Sequence, residues 1–197
     1  MEIKVPIEIS ARHVHLDKQT FAKLFGDGVE LTSLKALSQP GTFAAEQTVT
    51  VKSAAGEILK VRILGPLRTY NQVEISKTDA FTLKVDPPIR DSHELSMAGS
   101  TGIILIGPKG RVALKKGLIL GWRHIHIGNN QALEAGLEDG QLVKVDIDNN
   151  PRSLVFENVL IRVSPEFDLS MHIDTDEGNA AGINGKGVGT IVKNNHQ

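Results

Sequence analysis

Four of the chain's seven histidines sit in two copies of one tetrapeptide frame, Arg12-His13-Val14-His15 and Arg123-His124-Ile125-His126. On a β-strand, residues two apart point to the same face. Each copy can therefore present two imidazoles side by side, the simplest way for a sheet to offer two nitrogen ligands to one metal ion. A lone His-x-His is a weak sign of a metal site; the same frame twice, in matching surroundings, is a much stronger one. The chain has no cysteine. Disulfides and thiolate sites are excluded, and any metal must rest on histidines and carboxylates.

The elements around the first pair are legible. Val5, Ile7 and Ile9 alternate into His13 and His15, which predicts a strand. Asp17 then supplies an N-cap, Phe21, Leu24 and Phe25 fall at helical spacing, and Gly26 is a stop. From Leu31 to Leu83 the pattern becomes β. Leu34 to Leu37 lead to the turn Gln39-Pro40-Gly41, and Thr48 to Lys52 and Ile58 to Leu64 flank Ala55-Gly56 as a hairpin. Gly65-Pro66 breaks the run before Val73-Glu74-Ile75. A carboxylate in that place also fits a strand face open to water.

Consecutive prolines cannot lie inside a sheet, so Asp86-Pro87-Pro88-Ile89-Arg90-Asp91-Ser92 reads as a linker. The expected domains are 1–88 and 89–197. A second hairpin, Ile103 to Ile106 and Val112 to Leu114, leads into the second histidine pair. The order of signals then repeats. Gly128-Asn129-Asn130 caps a short helix through Ala135, Leu142 to Ile147 and Leu154 to Val163 form strands, and Ser164-Pro165 makes a break before Met171-His172-Ile173. Glu74 stands eight residues after Pro66 and His172 seven after Pro165. The expected fold is therefore mainly β with short helices: two tandem β-barrel-like domains related by a pseudo-two-fold internal duplication. Two unrelated β-rich halves with chance motifs are the alternative.

If the halves are equivalent, the candidate ligand sets are His13, His15 and Glu74 in one, and His124, His126 and His172 in the other. Three protein ligands and an open position is the arrangement of a catalytic zinc site, although Co²⁺, Ni²⁺ and Mn²⁺ accept similar donors. His93 and His196 lack partners and read as solvated. Arg12 and Arg123 alternate onto the face opposite the imidazoles and read as structural or peripheral. Arg68 stands in a loop-like stretch six residues before Glu74, and its rigid donor fork suits phosphate; the competing reading is a surface arginine.

Composition narrows the class. The chain has 197 residues, 40% hydrophobic and 23% charged, and a formal net charge of -1. No global basic field points to nucleic acid, and no apolar run is long enough to span a bilayer. With eight aromatic residues the core must be largely aliphatic. The first residues lack the features of a signal peptide, so a cytoplasmic protein is expected. The tail from Gly185 is glycine-rich and expected to be partly mobile.

At this point the motifs resemble the PduL-type phosphate acyltransferases, the phosphate propanoyltransferases. The resemblance is carried by Ile7 to Leu16, Pro40 to Glu46, Gly65-Pro66-Leu67-Arg68 and Gln72 to Ala80. In the second half it is carried by Arg123 to His126 and Met171 to Glu177. It implies the reversible reaction of an acyl-CoA (acetyl or propanoyl) with phosphate to give acyl phosphate and CoA, on a two-barrel fold holding two zinc ions. Residue by residue it assigns His13, His15 and Glu74 to one metal, His124, His126 and His172 to the other, and makes Arg68 the phosphate-side catalytic arginine. It further implies coenzyme A contacts at Ser10, Lys35, Arg62, Leu64, Phe81, stacked on the adenine, and Asn179. Leu64 and Phe81 would equally fit an aliphatic core. Members that work in the lumen of a bacterial microcompartment often carry an N-terminal targeting extension. Here the motif begins within ten residues of Met1, which favours a free cytoplasmic enzyme.

Direct attack of phosphate on the thioester is the expected route, since no hydroxyl residue has a His–carboxylate pair left over to activate it. Two rivals share the ligands: a dinuclear metallohydrolase of thioesters or phosphate esters, and a non-enzymatic metal-binding β module. Aliphatic-rich β surfaces also admit a homodimer.

Overall fold

The computed structural model describes residues 3–92 and 97–192. His93 and His196 lie outside the described residues. In chain order the elements are β1 (Ile3–Ile9), β2 (His13–His15), α1 (Lys18–Phe25), β3 (Ser33–Ala36), β4 (Phe43–Lys52), β5 (Glu57–Gly65) and β6 (Gln72–Ile75). There follow α2 (Lys77–Leu83), β7 (Ile89–Arg90), β8 (Thr101–Ile106), β9 (Arg111–Gly121), β10 (His124–Ile127) and α3 (Asn129–Ala135). The chain ends through β11 (Leu142–Ile147), β12 (Leu154–Val163), β13 (Ser170–Ile173), α4 (Thr175–Ala180) and β14 (Lys186–Val192). The fold is mainly β, as the composition and turn pattern predict.

The chain divides into two compact units, Ala11–Gly121, and Met1–Ser10 with Trp122–Gln197. In the first, β2, β5, β4, β8, β9 and β6 pair in a closed six-stranded ring. In the second, β10, β12, β11, β14, β1 and β13 close in the same way. The senses of pairing agree strand for strand: the histidine strand is parallel to β5 or β12 and antiparallel to β6 or β13. Closure pairs the edges that an open sheet would leave as templates for aggregation. Each barrel is filled by aliphatic side chains, Val49, Val61, Ile63, Val73 and Leu118 in one, Ile7, Ile125, Val145, Ile161 and Met171 in the other.

Even the irregularities repeat. Along β4 and β5 the register runs from Val49–Val61 to Val51–Ile58, and along β11 and β12 from Val143–Val159 to Val145–Phe156. Each is a bulge that places one extra residue on β5 or β12, and each carries a left-handed residue, Lys60 at φ 55° or Asn158 at φ 54°. Non-glycine residues rarely adopt that conformation. Its recurrence at equivalent points supports the internal duplication.

The expected cut at 88/89 does not coincide with these units. The strand that leads into each histidine pair belongs to the other repeat's barrel. β1 leads into β2 yet pairs with β13 and β14, while β9 leads into β10 yet pairs with β6 and β8. The two repeats have thus exchanged their first strands. The proline-rich stretch is no boundary either, because β7 pairs parallel to β9 within the Ala11–Gly121 unit.

Two further expectations change. Lys77–Leu83, read as β, is the helix α2, and Thr175–Ala180 is a matching α4. Each starts on a capping box, Ser76 with Asp79 and Asp174 with Glu177, which satisfies free amides of the first turn. Residues 193–197 of the glycine-rich tail lie outside the described residues; from Lys186 to Val192 the tail is the barrel strand β14. Its glycines are needed for close packing: a Cβ at Gly189 would lie 2.5 Å from Val145 Cγ1.

Candidate functional site

β2 is three residues long and buried throughout. Val14 points into the aliphatic core, which forces His13 and His15 to the other face. Their rings meet edge to face, with centroids 4.9 Å apart. The antiparallel pairing with β6 sets His13 opposite Glu74 and His15 opposite Gln72. His13 Nε2 lies 3.7 Å from Glu74 Oε2, and the Glu74 side chain is 13% exposed. Glu74 therefore does not face open water.

The second unit repeats this register: His124 is opposite His172, and His126 opposite Ser170. The ligand nitrogens of His124, His126 and His172 all lie within 4.8 Å of one another. Among the described residues this is the one group of three metal-ligating side chains gathered so closely. The first set does not form such a group; in it, Glu74 Oε1 accepts hydrogen bonds from Gln72 Nε2 and, at 2.5 Å, from Ser92 Oγ.

The protonation pattern suits a cation. His13 Nδ1 lies 2.9 Å from the Ala11 carbonyl and His124 Nδ1 lies 2.7 Å from the Trp122 carbonyl. Donation to those carbonyls places the lone pair on Nε2 in both, the kind of outer contact that orients metal-bound imidazoles. His15 Nδ1 is buried with no hydrogen-bond partner. Burial, then His13 and Arg68, hold the His15 pKa well below the ordinary histidine value, against an opposing contact with the Leu64 backbone. A neutral imidazole with a buried, unsatisfied nitrogen is a competent ligand. The residues of both sets thus fit a divalent metal bound through nitrogen and oxygen. Next to the second set, Asp174 is pushed up to about 6, chiefly by burial.

Arg68 lies beside the first set. Its Nη1 donates to Tyr70 Oη at 3.0 Å and to Gln72 Oε1 at 3.2 Å, and its charge is felt at His15. Gln72 thus links the guanidinium to Glu74. Tyr70 in turn donates to the Ser92 carbonyl. Gly121 completes this surround, since a Cβ there would lie 2.7 Å from Glu74 Oε2. Gln72, Tyr70, Ser92 and Gly121 were missed in the sequence. The register of Gln72 two before Glu74 was the available signal for one of them.

The six expected coenzyme A contacts divide between the units. Lys35, Arg62, Leu64 and Phe81 belong to one, Ser10 and Asn179 to the other. Lys35 is exposed on β3. Arg62 donates to the carbonyls of Ala45 and Glu46 at 2.9 and 2.8 Å. Leu64 is half-buried. Phe81 is 72% exposed and is no part of the core, with Lys77 Nζ 5.7 Å from its ring centre. Ser10 is half-buried and Asn179 exposed.

Comparison with known proteins adds to this geometry. A family model described as phosphate propanoyltransferase matches residues 6–184. The chain belongs to the phosphate propanoyltransferase family. It is 49% identical over 178 residues to the phosphate propanoyltransferase of Thermotoga maritima, covering 90% of this chain and 84% of that one. To the protein of that name from Salmonella typhimurium it is 48% identical over 178 residues, covering 90% and 83%. To that from Listeria monocytogenes it is 43% identical over 194 residues, covering 98% and 89%. The chain is thus an enzyme of the phosphate acyltransferase class. Among the described residues no helix is long and apolar enough to cross a membrane.

Proposed function

We propose that this enzyme transfers an acetyl or propanoyl group between coenzyme A and phosphate, with one zinc ion held by each barrel. The observation that carries the reading is the same three-ligand pattern at the same strand register in both barrels of a family member. His13, His15 and Glu74 would hold one ion, and His124, His126 and His172 the other. Zinc bound there would supply Lewis acidity to polarise the thioester carbonyl and offset charge on the departing thiolate.

The chain's own residues supply the rest. Arg68 holds phosphate through its donor fork, so that one phosphate oxygen attacks the thioester carbon directly. The C–O bond forms, the C–S bond breaks, and coenzyme A leaves as the thiol once protonated. Gln72 fixes the Arg68 guanidinium relative to Glu74. Lys35 and Arg62 offer cations for the coenzyme A phosphates and exposed Phe81 offers a face for the adenine, with Leu64 in the same unit.

The deciding experiment mixes acetyl- or propanoyl-CoA with phosphate and follows thiol release with and without a chelator. Phosphate-dependent, chelator-sensitive release is expected, with about two equivalents of zinc per chain by metal analysis. Release of free acid without phosphate would instead mark a hydrolase. No phosphate-dependent release from zinc-replete protein would remove the reading.

A further inference from the structure

The arginine of each Arg-His-x-His frame has a carboxylate partner, and the partners are equivalent. Arg12 pairs with Asp79, and Arg123 Nη1 lies 2.7 Å from Glu177 Oε1. Asp79 and Glu177 are the third residues of α2 and α4, the acidic members of the two capping boxes. In each, one carboxylate oxygen takes the arginine and the other takes the backbone N–H of the N-cap residue. Asp79 Oδ2 accepts from Ser76 at 3.2 Å, and Glu177 Oε2 accepts from Asp174 at 3.0 Å.

The positions of the two ends matter. Each arginine is the residue before the first ligand, His13 or His124. Each N-cap, Ser76 or Asp174, is two residues past the third, Glu74 or His172. The bridge therefore closes the β2–β6 and β10–β13 pairs at the end where His13 meets Glu74 and His124 meets His172. These strands are only three or four residues long, so few ladder bonds hold their register. Arg123 is further anchored by donation from Nε to the Glu157 carbonyl at 2.8 Å, and its guanidinium lies 5.4 Å from the Phe156 ring centre.

We propose that Arg12 and Arg123 are positioning residues, one per metal site, that lock the third ligand opposite the first through the acidic member of the following helix's capping box. This sharpens the sequence reading of both as structural or peripheral, and it rests on the metal assignment of the proposed function. An arginine contributes no atom to the site. It acts on the ligand spacing, so its loss raises the dissociation constant of its own site and leaves the other unchanged.

The test is zinc titration of metal-stripped full-length protein against a chromophoric chelator. Glu74→Ala leaves only the second site and His172→Ala only the first. In the Glu74→Ala protein, Arg123→Gln is expected to weaken zinc about tenfold to a hundredfold, while Arg12→Gln has no effect. In the His172→Ala protein the roles reverse. Glu177→Gln keeps an oxygen for the Asp174 amide but loses the charge, and should weaken zinc like Arg123→Gln without adding to it in the double variant. Because Glu177→Gln keeps the cap, it reports on the bridge if Arg123→Gln does not fold. Each arginine variant should lower the unfolding temperature of stripped protein equally in both single-site backgrounds, because the bridge itself is lost in both. Zinc affinity should fall only where its own site remains, which separates positioning from general stability. Wild-type protein that takes up no zinc would overturn both this inference and the metal reading. Wild-type uptake of two ions with both affinities intact in all the arginine and Glu177 variants would overturn this inference alone, as would weakening that ignores which site remains.

Discussion

His13 and Glu74 face each other across the β2–β6 pair, His13 Nε2 standing 3.7 Å from Glu74 Oε2. The equivalent pair in the other barrel is His124 and His172, so the two repeats differ in the charge of one residue at one register position. A carboxylate and an imidazole give two bound cations unequal net charge, and a cation with less ligand charge is the stronger Lewis acid. Glu74→Ala and His172→Ala are each expected to remove about one equivalent of zinc per chain and to lower kcat/KM by about a hundredfold or more. Metal analysis beside the coupled thiol assay checks both. A Glu74→Ala protein with full zinc and full activity would break the pairing of the two ligand sets.

Arg68 reaches Gln72 and Tyr70 from the loop after β5 and is half-buried. A charge-assisted contact to phosphate is worth about 1.5–3 kcal/mol, so Arg68→Ala should cost roughly 10- to 150-fold in kcat/KM for phosphate. The KM for acyl-CoA should move much less. Arg68→Lys should recover only part of the loss, because an ammonium lacks the planar fork. Initial rates with each substrate varied in turn separate these outcomes.

Gly121 makes room for the first candidate site. A Cβ at this position would lie 2.7 Å from Glu74 Oε2 and 3.3 Å from its Cδ. Gly121→Ala should displace the carboxylate and weaken zinc at the first site while the His124 set keeps its ion. Ser92→Ala removes the 2.5 Å hydrogen bond to Glu74 Oε1 and should act in the same direction by about tenfold or more. Zinc titration of the two variants in the His172→Ala protein measures both effects.

What the sequence shows of this fold is mostly what local chemistry writes. Asp17 caps α1 by accepting from the Thr20 amide at 2.6 Å, Gly26 ends it, and the hairpin around Ala55-Gly56 joins β4 to β5. The similar distances from Pro66 to Glu74, eight residues, and from Pro165 to His172, seven, anticipate the shared strand register. The exchange of β1 and β9 was not legible, since an aliphatic strand carries no mark of which of two similar barrels it completes. Ser92 was hidden in a stretch whose prolines read as a linker. The short helix α2 was hidden by apolar residues that also suit strands, and α4, Thr175-Asp176-Glu177-Gly178-Asn179-Ala180, by its brevity and its glycine; the spacing of Asp174 and Glu177 was the signal available. Gly187 and Gly189 read as flexibility, yet they let β14 pack against the barrel wall.

If the candidate sites hold zinc, removing it should destabilise the folded chain, because a ligand that binds only the native state stabilises by RT ln(1 + [L]/Kd), about 2.7 kcal/mol at a hundred times Kd. Chelator-treated protein should unfold at a lower temperature, with the loss reversed by added zinc. In Glu74→Ala and His172→Ala the zinc-dependent shift should be smaller than in the wild type. A zinc-independent unfolding temperature in all three would count against both sites.

The strand exchange makes its own prediction. Ile7 is fully buried in β1, six residues before His13, yet its neighbours are Met171 across β13 and Gly187 across β14. Chain proximity would place the effect of Ile7→Ala at the His13 set. The pairing places it at the other, because Glu8 is the register partner of His172. Ile7→Ala should cost about 2–5 kcal/mol in unfolding free energy, the usual range for emptying a buried aliphatic site. Zinc should become easier to strip from the His124 set, while the His13 set keeps its affinity. Chemical denaturation gives the first quantity. Chelator competition in the Glu74→Ala and His172→Ala backgrounds gives the second, and selective weakening of the His13 set would contradict the exchanged-strand arrangement.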